Sequence, residues 1–512
     1  MRLLYTTLLL LFVSLSTNAQ TLQDGLRYTD DYTVGSARFT GMGGAFSSLG
    51  GDLSAVGLNP AGATTFSTNR LSGTLSFFGN SNKSNYFDNT HAKNYSSFDD
   101  HIASFDQLGV VWVYQSDSNN WNKIAFAVNY NKTNNFGNDV VIKGLNTAGN
   151  SVTNYFLDRA NGTYLSDIEV DSSAGETRTS VYQWLGENIG YGVQQAFLGY
   201  QSYIVNPVDP NDPNNTQYTS AATFSQVNHK NKIASDGSKS SMDIAFAGTY
   251  QKKLQLGFSL TTYSIDYVEN NRIEENGYDA GSDLKNLRFT NVLRVEGSGM
   301  ALKFGAIYKP TNNFRLSLAF HSPQWLEIEE TTSQSIETHF ANGDNVVVAP
   351  DSQNVFAPYK IITPSKVIAG TSYVFAKKGL ISVDYTYQNY ANLHFKETDA
   401  DADTTYFDDL NDHIADTMQA VHKVNIGGEM KLDKLSLRAG TFFSTSPYKD
   451  TDDLNAVKGY SLGLGYSFDD ITLDFSYLSS QIKVKQTLSA LPDAATVDMN
   501  QGKMALGVRY NF

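Results

Sequence analysis

Three aspartates at alternate positions, Asp399, Asp401 and Asp403, form the pattern in this sequence most typical of a metal site. Their spacing is that of the first ligands of an EF-hand calcium loop. That loop also needs a glycine directly after the third ligand and a bidentate glutamate at its twelfth position. Thr404 and Leu410 stand at those two positions. We therefore predict a solvated acidic loop and no metal site.

Other arrangements that carry chemistry are not expected in this chain. Its 8 histidines are scattered without metal-ligand spacing. We expect neither a G-x-S-x-G nucleophile elbow nor a glycine-rich phosphate-binding loop. A Ser, His and Asp set assembled from separate strands would have no local sequence pattern. We predict that the protein is not an enzyme and has no catalytic residue, cofactor or metal.

The glycine-rich stretch 35–62 differs from the rest of the chain. Eight glycines in 28 positions weaken helices and strands and let backbone approach other backbone closely. The stretch is nevertheless too apolar for a solvated linker, with Phe39, Met42, Phe46, Leu49, Leu53, Val56 and Leu58. It ends in Asn59-Pro60-Ala61-Gly62, where Pro60 suits the first position of a helical turn. We interpret it as a compact plug inside a larger structure, or else as a simple connecting loop.

The N-terminal residues and the composition of the chain indicate its destination and exclude several structural classes. Residues 1–19 have a positive start, an apolar run and a small-residue cleavage site, which predicts a secretory signal peptide. The rest of the sequence contains no run of about 20 apolar residues, so no membrane-spanning helix is predicted. The chain has no Cys, so disulfides are ruled out, and its net charge of −14 argues against nucleic acid as a partner.

Period-two alternation from residue 70 onward predicts strands with one apolar face. In the last strand, Met504, Leu506, Val508, Tyr510 and Phe512 alternate with Ala505, Gly507, Arg509 and Asn511. Short polar turns alternate with long connections, which we place at 79–102, 132–241, 265–289, 322–363, 392–420, 446–457 and 482–501. The strands between them are predicted at 70–78, 104–115, 121–131, 242–250, 254–263, 290–308, 314–320, 364–375, 380–390, 422–432, 435–444, 458–468, 471–481 and 502–512.

About fourteen antiparallel strands, with tight turns at one end and long loops at the other, predict an all-β outer-membrane barrel. A soluble β-sandwich would show the same alternation but not the one-sided loop lengths. Aromatic residues also cluster at the predicted strand ends, where the interfacial girdles of a barrel lie. The predicted girdle residues are Trp112, Trp121, Tyr130, Tyr373, Phe375, Tyr466 and Phe468.

The sequence resembles the FadL/TodX family of outer-membrane transporters for long-chain fatty acids and other hydrophobic compounds. Its first matching segment is ARFTGMGGAF followed by GGDLSAVGLNPAG, which is similar to the N-terminal hatch of that family. Three further segments are 304–323, 363–390 and 422–448. The resemblance implies a fourteen-stranded barrel (residues 70–512) with a hatch (residues 20–69) inside its lumen.

This resemblance implies passive uptake of a hydrophobic small molecule across the bacterial outer membrane. The Asn-Pro-Ala motif of the family, here Asn59, Pro60 and Ala61, is then a candidate for gating. The candidate floor of the ligand site is formed by Phe39, Met42, Phe46, Leu49 and Leu58. We expect a monomer in contact with outer-membrane lipid. The alternative is a PorV-type subunit of type IX secretion that binds secreted proteins.

The segment 132–241 has no counterpart that we can align, and we predict a long extracellular insertion. Ser180 and Gln183 have the spacing of a capping box, which predicts a helix starting at Ser180. Val181, Trp184, Leu185 and Ile189 follow at helical spacing. Their face is either a landing site for ligands, with Trp184 as a candidate contact, or a face packed against its own loop.

Overall fold

The structure is a computed structural model that describes residues 21–29, 35–86, 94–99, 103–117, 120–376, 378–399, 404–451 and 453–512. The predicted signal peptide at 1–19 and the aspartates Asp401 and Asp403 lie outside these residues. Within them, no helix is both long and apolar enough to cross a membrane.

Strands dominate the described residues. They are β1 (Arg70–Asn85), β2 (Asn94–Asp99), β3 (Ser104–Gln115), β4 (Trp121–Asn135), β5 (Asn138–Asn146), β6 (Val205–Pro207), β7 (Tyr218–Ser220), β8 (Val227–Tyr250), β9 (Leu254–Asn276), β10 (Leu284–Tyr308), β11 (Phe314–His321), β12 (Trp325–Phe340), β13 (Asn345–Val348), β14 (Asn354–Val355), β15 (Tyr359–Ile362), β16 (Lys366–Val374), β17 (Gly379–Asn389), β18 (His394–Glu397), β19 (Ala420–Leu432), β20 (Leu435–Ser444), β21 (Val457–Phe468), β22 (Ile471–Thr487) and β23 (Ala494–Asn511). The α-helices are α1 (Leu22–Thr29), α2 (Ala37–Gly41), α3 (Leu53–Val56), α4 (Val152–Ala160), α5 (Leu165–Ile168), α6 (Arg178–Asn188), α7 (Tyr191–Gln201) and α8 (Thr405–Thr417), and 3-10 helices lie at Pro60–Thr65, Ser172–Ala174 and Tyr390–Asn392.

Fourteen of the strands close into an antiparallel barrel, which confirms the predicted fold class. Their order around the ring is β1, β3, β4, β8, β9, β10, β11, β16, β17, β19, β20, β21, β22 and β23. The ring closes between β1 and β23, from Arg70 opposite Asn511 to Asn85 opposite Thr496. Closure leaves the ring of these described strands without a free edge, which a bilayer would penalise because lipid cannot hydrogen-bond the backbone.

The two faces of the wall differ as the alternation predicts. On β23 the side chains of Met504, Leu506 and Val508 are 50%, 57% and 49% exposed, while Ala505 between them is 1% exposed. The apolar side chains therefore point outward, toward lipid, and the small or polar ones point inward. Six of the seven predicted girdle aromatics are exposed, and Tyr130 is half-buried.

Several barrel strands continue well beyond their predicted bounds at the end with the long loops, which we call the loop end. Strands β8, β9 and β10 have 24, 23 and 25 residues. The connections predicted at 265–289 and 482–501 are therefore wrong, because most of their residues extend the hairpins β9–β10 and β22–β23. Their outward faces lie beyond the lipid and need not be apolar, so the alternation that reveals a strand fades there.

The insertion between β4 and β8 forms a folded unit rather than an open loop. It contains β5, helices α4 to α7 and the hairpin β6–β7. Its apolar core, including Phe156, Leu185 and Phe197, packs against Phe289 and Ile336 on β10 and β12. Strand β5 pairs with the loop-end half of β8, so the insertion is anchored to the barrel wall.

Helix α6 begins earlier than predicted, so the capping box assigned to Ser180 and Gln183 is wrong. Its N-cap is Thr177, whose hydroxyl accepts a hydrogen bond from Ser180 N at 3.1 Å. Ser180 Oγ in turn accepts one from Thr177 N at 2.9 Å. The capping box is thus reciprocal, but it lies three residues before the predicted one. It was not predicted because its third helical residue is a serine instead of the usual Glu or Gln.

Residues 35–66 of the hatch lie inside the ring of strands. Helix α2 contacts β20 to β23, α3 contacts β3 and β4, and the 3-10 helix Pro60–Thr65 contacts β4, β8, β9 and β10. Each short helix is capped by a polar side chain, from Ser36, Asp52 and Asn59. Capping satisfies backbone N–H groups at the starts of these buried helices.

Candidate functional site

The Asn59-Pro60-Ala61 turn lies directly against the inner wall of the barrel. Gly257 on β9 and Gly305 on β10 are paired opposite each other beneath it. A Cβ at Gly257 would clash with the backbone of Pro60 and Ala61, and a Cβ at Gly305 would clash with the Asn59 side chain. The contact therefore needs glycine at both wall positions.

The Asn59 side chain connects the hatch to itself and to the barrel. Its Oδ1 accepts a hydrogen bond from Ala61 N at 3.1 Å. Its Nδ2 donates to Ser47 O at 2.9 Å and to Ala306 O at 3.3 Å. Because Asn59 is 1% exposed, removing the amide would leave buried backbone groups without these partners.

Polar side chains of the wall fix the hatch at other points around the ring. Asp384 accepts hydrogen bonds from Ser47 N at 2.7 Å and from Ser47 Oγ at 2.6 Å. Asn425 Nδ2 donates to Gly43 O at 2.5 Å, and Ser461 Oγ accepts from Gly43 N at 2.9 Å. The hatch is therefore held by directed bonds as well as by packing.

Ser461 lies within a G-x-S-x-G string, Gly459 to Gly463, so the expectation that none occurs is wrong. The string lies inside strand β21 and not at the strand-to-helix turn that exposes a hydrolase nucleophile. Ser461 is 1% exposed. Its glycines serve packing: the Cα of Gly463 lies 3.1 Å from where a Cβ on Gly41 would stand.

A buried chain of alternating charges joins the hatch to four strands, and we call it the ionic chain: Arg38, Glu429, Arg438, Asp474 and Arg509. Arg38 Nε donates to Glu429 at 3.0 Å, and Arg438 bridges Glu429 and Asp474 at 2.7 Å each. Arg509 completes the chain at 2.5 Å from Asp474. Burial acts to lower the pKa of Arg38, but the carboxylates of Glu429, Asp52 and Asp474 together outweigh it and raise that pKa well above its ordinary value.

Glycine residues on β21 leave space for the side chains of the ionic chain. Arg438 on β20 must reach across β21 to meet Asp474 on β22. Gly463 and Gly465 are the inward-facing residues at that level, and a Cβ at Gly465 would lie 2.5 Å from Asp474 Oδ1. The alternating glycines of this strand therefore allow a charge network inside the wall.

A cavity of about 220 Å³ lies in the lumen on the loop-end side of the hatch. Hatch residues form part of its lining, namely Phe39, Gly44, Ser54, Gly57 and Leu58. Apolar wall residues that line it are Tyr263, Ile368, Tyr390, Val421, Phe442, Pro447 and Val457. The space could hold an apolar group between the hatch and the wall.

The same cavity also carries charge. Lys303 and Asp243 in its lining form an ion pair at 2.7 Å. His321, Lys366 and Lys423 line it as well, and His321 lies directly opposite Lys366 on the paired strands β11 and β16. An apolar floor beneath basic side chains suits an amphiphile with an anionic head.

Comparison with known proteins identifies the family. The family of outer membrane protein transport proteins (OMPP1/FadL/TodX) matches residues 214–512, more than half of the chain. The chain belongs to this family. It is therefore an outer-membrane transport protein, with its short turns at the periplasmic end and its loop end outside the cell. No curated protein matches the sequence.

Solved members of this group have the same fold. The Pseudomonas putida toluene transporter TodX has a TM-score of 0.52 at 13% identity, with 94% of this chain and 99% of that chain covered. A Pseudomonas aeruginosa FadL homologue has a TM-score of 0.50 at 11% identity, with 94% and 100% covered. At such identities the likeness establishes the fold alone.

The candidate ligand residues of this FadL/TodX family member fall into three groups. Phe39 and Leu58 line the lumen cavity. Met42, Phe46 and Leu49 are at most 3% exposed and pack within the hatch, where the rings of Phe39 and Phe46 stack at 5.4 Å. Trp184 lies far from this cavity in the chain's extracellular insertion, on α6.

Trp184 on α6 and Ile189 at its C-cap are 53% and 47% exposed, whereas Val181 and Leu185 on the helix are buried. The apolar residues of α6 therefore divide between a packed face and a solvent-exposed one. The packed face of α6 meets α7 of the same insertion, which is the predicted alternative of a helix packed against its own loop. Helical spacing alone does not separate this face from the exposed one.

Helix α1 packs against the barrel wall next to the site, although none of its residues lines the lumen cavity and no helix was predicted there. Leu22, Leu26 and Tyr28 are buried in an apolar cluster with residues of β9, β10, β12, β15 and β18 at the extracellular side. Lys239 Nζ donates to Tyr28 O at 2.8 Å, and Arg27 lies over the Tyr267 ring at 4.3 Å. The i, i+4 spacing of Leu22 and Leu26 is the sequence pattern from which this helix could have been predicted.

Proposed function

We propose that this protein carries hydrophobic small molecules passively across the outer membrane through a lumen closed by its hatch. Its family membership supports transport over the secretion-subunit alternative. The supporting feature of the chain itself is the cavity between the hatch and the outer half of the barrel. In this proposal residues 20–69 act as the hatch and residues 70–512 as the barrel.

The ligand that we propose is a long-chain fatty acid, or an amphiphile like it, rather than a plain hydrocarbon. Phe39 and Leu58 provide an apolar floor, and Lys366, Lys423 and His321 supply positive or titratable groups on one side. Both acidic groups of the lining have assigned partners: Asp243 pairs with Lys303, and Asp384 accepts from Ser47. A carboxylate head would meet cationic side chains there.

Binding of a fluorescent long-chain fatty acid to the purified protein tests the site. Phe39→Ala should weaken binding by about tenfold, equivalent to about 1.4 kcal/mol. Phe246→Ala is the matched control, because Phe246 is 54% exposed on the lipid-facing side. Equal binding by the two variants would contradict a site above the hatch.

The head group is tested by comparing a fatty acid with its methyl ester. The acid should bind more tightly to the wild type, and the double variant Lys366→Gln, Lys423→Gln should remove this difference. A preference for the acid that survives in the double variant would contradict the assigned head-group contacts while leaving the apolar site standing.

Gating is proposed to involve Asn59, Pro60 and Ala61, and Trp184 is proposed as an outer contact for arriving ligand. Asn59→Ala should reduce uptake without preventing barrel assembly, because its bonds tie the hatch and not the strands together. Heat-resistant electrophoretic mobility would report assembly, and radiolabelled fatty acid would report uptake. Unchanged uptake would argue against a role of the turn in gating.

A further inference from the structure

A second cavity, of about 300 Å³, lies on the periplasmic side of the hatch. It is separated from the lumen cavity by the hatch and shares none of its lining residues. Nearly all of its lining is polar, with Phe66 the one aromatic ring. A hydrocarbon tail would find no apolar wall there, whereas a small polar group would.

Positive charge dominates this cavity although the whole chain is strongly acidic. Its lining has five cationic side chains, Arg38, Arg70, Lys431, Arg438 and Arg509, against the two carboxylates of Glu429 and Asp469. Adding Asp474, which lies behind the lining and holds Arg438 and Arg509, and Asp52, which interacts with Arg38 and Arg70, still leaves the cations in excess by one. The excess is thus local and not a reflection of composition.

Arg70 is the one arginine in the lining of this cavity that does not belong to the ionic chain. It donates from Nε to Asn511 Oδ1 at 2.8 Å and from Nη1 to Gly51 O at 3.2 Å. Both acceptors are neutral, and among the described residues no carboxylate forms an ion pair with it. A guanidinium has five N–H donors, so most of its capacity stays available for a ligand.

The barrel wall places Arg70 beside other cations. Arg70 on β1 faces Asn511 on β23, and Arg509 faces Ser72, so the two arginines stand diagonally on the same inner face. The Arg70 and Arg38 guanidinium groups both donate to Gly51 O at 3.2 Å. Such close cations repel one another unless an anion lies between them.

We propose that this periplasmic cavity is a binding site for an oxyanion, a carboxylate or a phosphate, held by Arg70 with Arg509 and Lys431. The planar fork of arginine matches both groups in bidentate fashion. The anion comes either free from the periplasm or as the head of an amphiphile whose tail stays outside the cavity. The site does not depend on the transport of any particular ligand.

Calorimetric titration of the purified full-length protein with inorganic phosphate at constant ionic strength tests this site. Saturable binding should weaken at least tenfold in Arg70→Gln and several-fold in Lys431→Gln, and Arg70→Lys should restore part of it. Lys431 is exposed, so its variant should fold even if Arg70→Gln does not. Arg288→Gln is the matched control, since Arg288 lies in an exposed ion pair with Glu337 at the extracellular end.

Acetate and dodecanoate separate the two sources of the anion. Acetate binding as tightly as dodecanoate would assign a free oxyanion, and dodecanoate binding at least tenfold more tightly, in an Arg70-dependent manner, would assign an amphiphile head. The proposal is overturned if neither phosphate nor carboxylate binds. It is also overturned if Arg70→Gln and Lys431→Gln bind phosphate as the wild type and Arg288→Gln do.

Discussion

Replacing Arg38 with glutamine should loosen the hatch without weakening the barrel. Arg38 is the hatch residue of the ionic chain, and its Nε and Nη2 donate to Glu429 at 3.0 and 3.2 Å. Hydrogen bonds to charged groups contribute about 1.5–3 kcal/mol each. Glu429 would keep its bond to Arg438 at 2.7 Å and would not be stranded, so the lower end applies.

Two such bonds at the lower end amount to about 3 kcal/mol of hatch docking, which corresponds to a change of about 100-fold in the docking equilibrium. Barrel stability should change little, because the fourteen strands keep their own hydrogen bonds. Arg38→Lys should have an intermediate effect, since lysine keeps the charge but loses the bidentate fork.

Planar-bilayer recording measures this effect directly. Wild-type protein should be nearly closed, a chain lacking residues 35–66 should conduct steadily, and Arg38→Gln should show frequent transient openings. Arg288→Gln is again the control, because it breaks an exposed pair worth only about 0–1 kcal/mol. If Arg38→Gln is as closed as the wild type while the deletion conducts, the ionic chain does not hold the hatch.

Three further outcomes follow from the packing. Gly305→Ala should displace the Asn59 turn at a cost of about 1–3 kcal/mol and reduce uptake, while Gly502→Ala, with its nearest atom at 3.9 Å, should leave uptake unchanged; equal uptake by both would refute the close contact. Met42→Ala should destabilise the hatch by about 2–5 kcal/mol and raise its protease sensitivity, because Met42 is fully buried; unchanged proteolysis would count against this. Trp184→Ala should change the midpoint of thermal unfolding very little, since substitutions of exposed side chains usually change the free energy of unfolding by no more than about 0.5 kcal/mol. The same variant should slow uptake at low ligand concentration if Trp184 receives ligand.

The membrane-spanning part of the fold was predictable because its signal is local. Strands β3 and β20 have the predicted bounds, 104–115 and 435–444. Each is a mostly alternating run next to a tight turn, although β3 has a bulge at Asp106, and lipid on one side and a filled lumen on the other enforce the alternation. Beyond the bilayer this constraint is absent, so the extended hairpins of β9–β10 and β22–β23 were interpreted as loops.

The site was only partly predictable because it is assembled from distant residues. The Asn59-Pro60-Ala61 turn has a local signal, and two of the predicted floor residues, Phe39 and Leu58, line the cavity. The ionic chain has no such signal, since Arg38 and Glu429 are 391 positions apart. Only the order of strands around the ring brings these charges together.

The most direct test of transport past the hatch is to lock it to the wall with a reversible disulfide. Ser47 in the hatch and Ser317 on β11 have their hydroxyl oxygens 2.9 Å apart, so cysteines at both positions could bond. The natural chain has no Cys, so no other disulfide could form, and the wild type should be indifferent to reducing agent.

Uptake of radiolabelled long-chain fatty acid should be measured in cells that make the Ser47→Cys, Ser317→Cys variant. Single variants control for loss of the Ser47 bond to Asp384. Uptake should be low when the disulfide is formed and should recover on reduction. Undiminished uptake with a verified disulfide would contradict the proposal that the hatch gates the passage of ligand through the lumen.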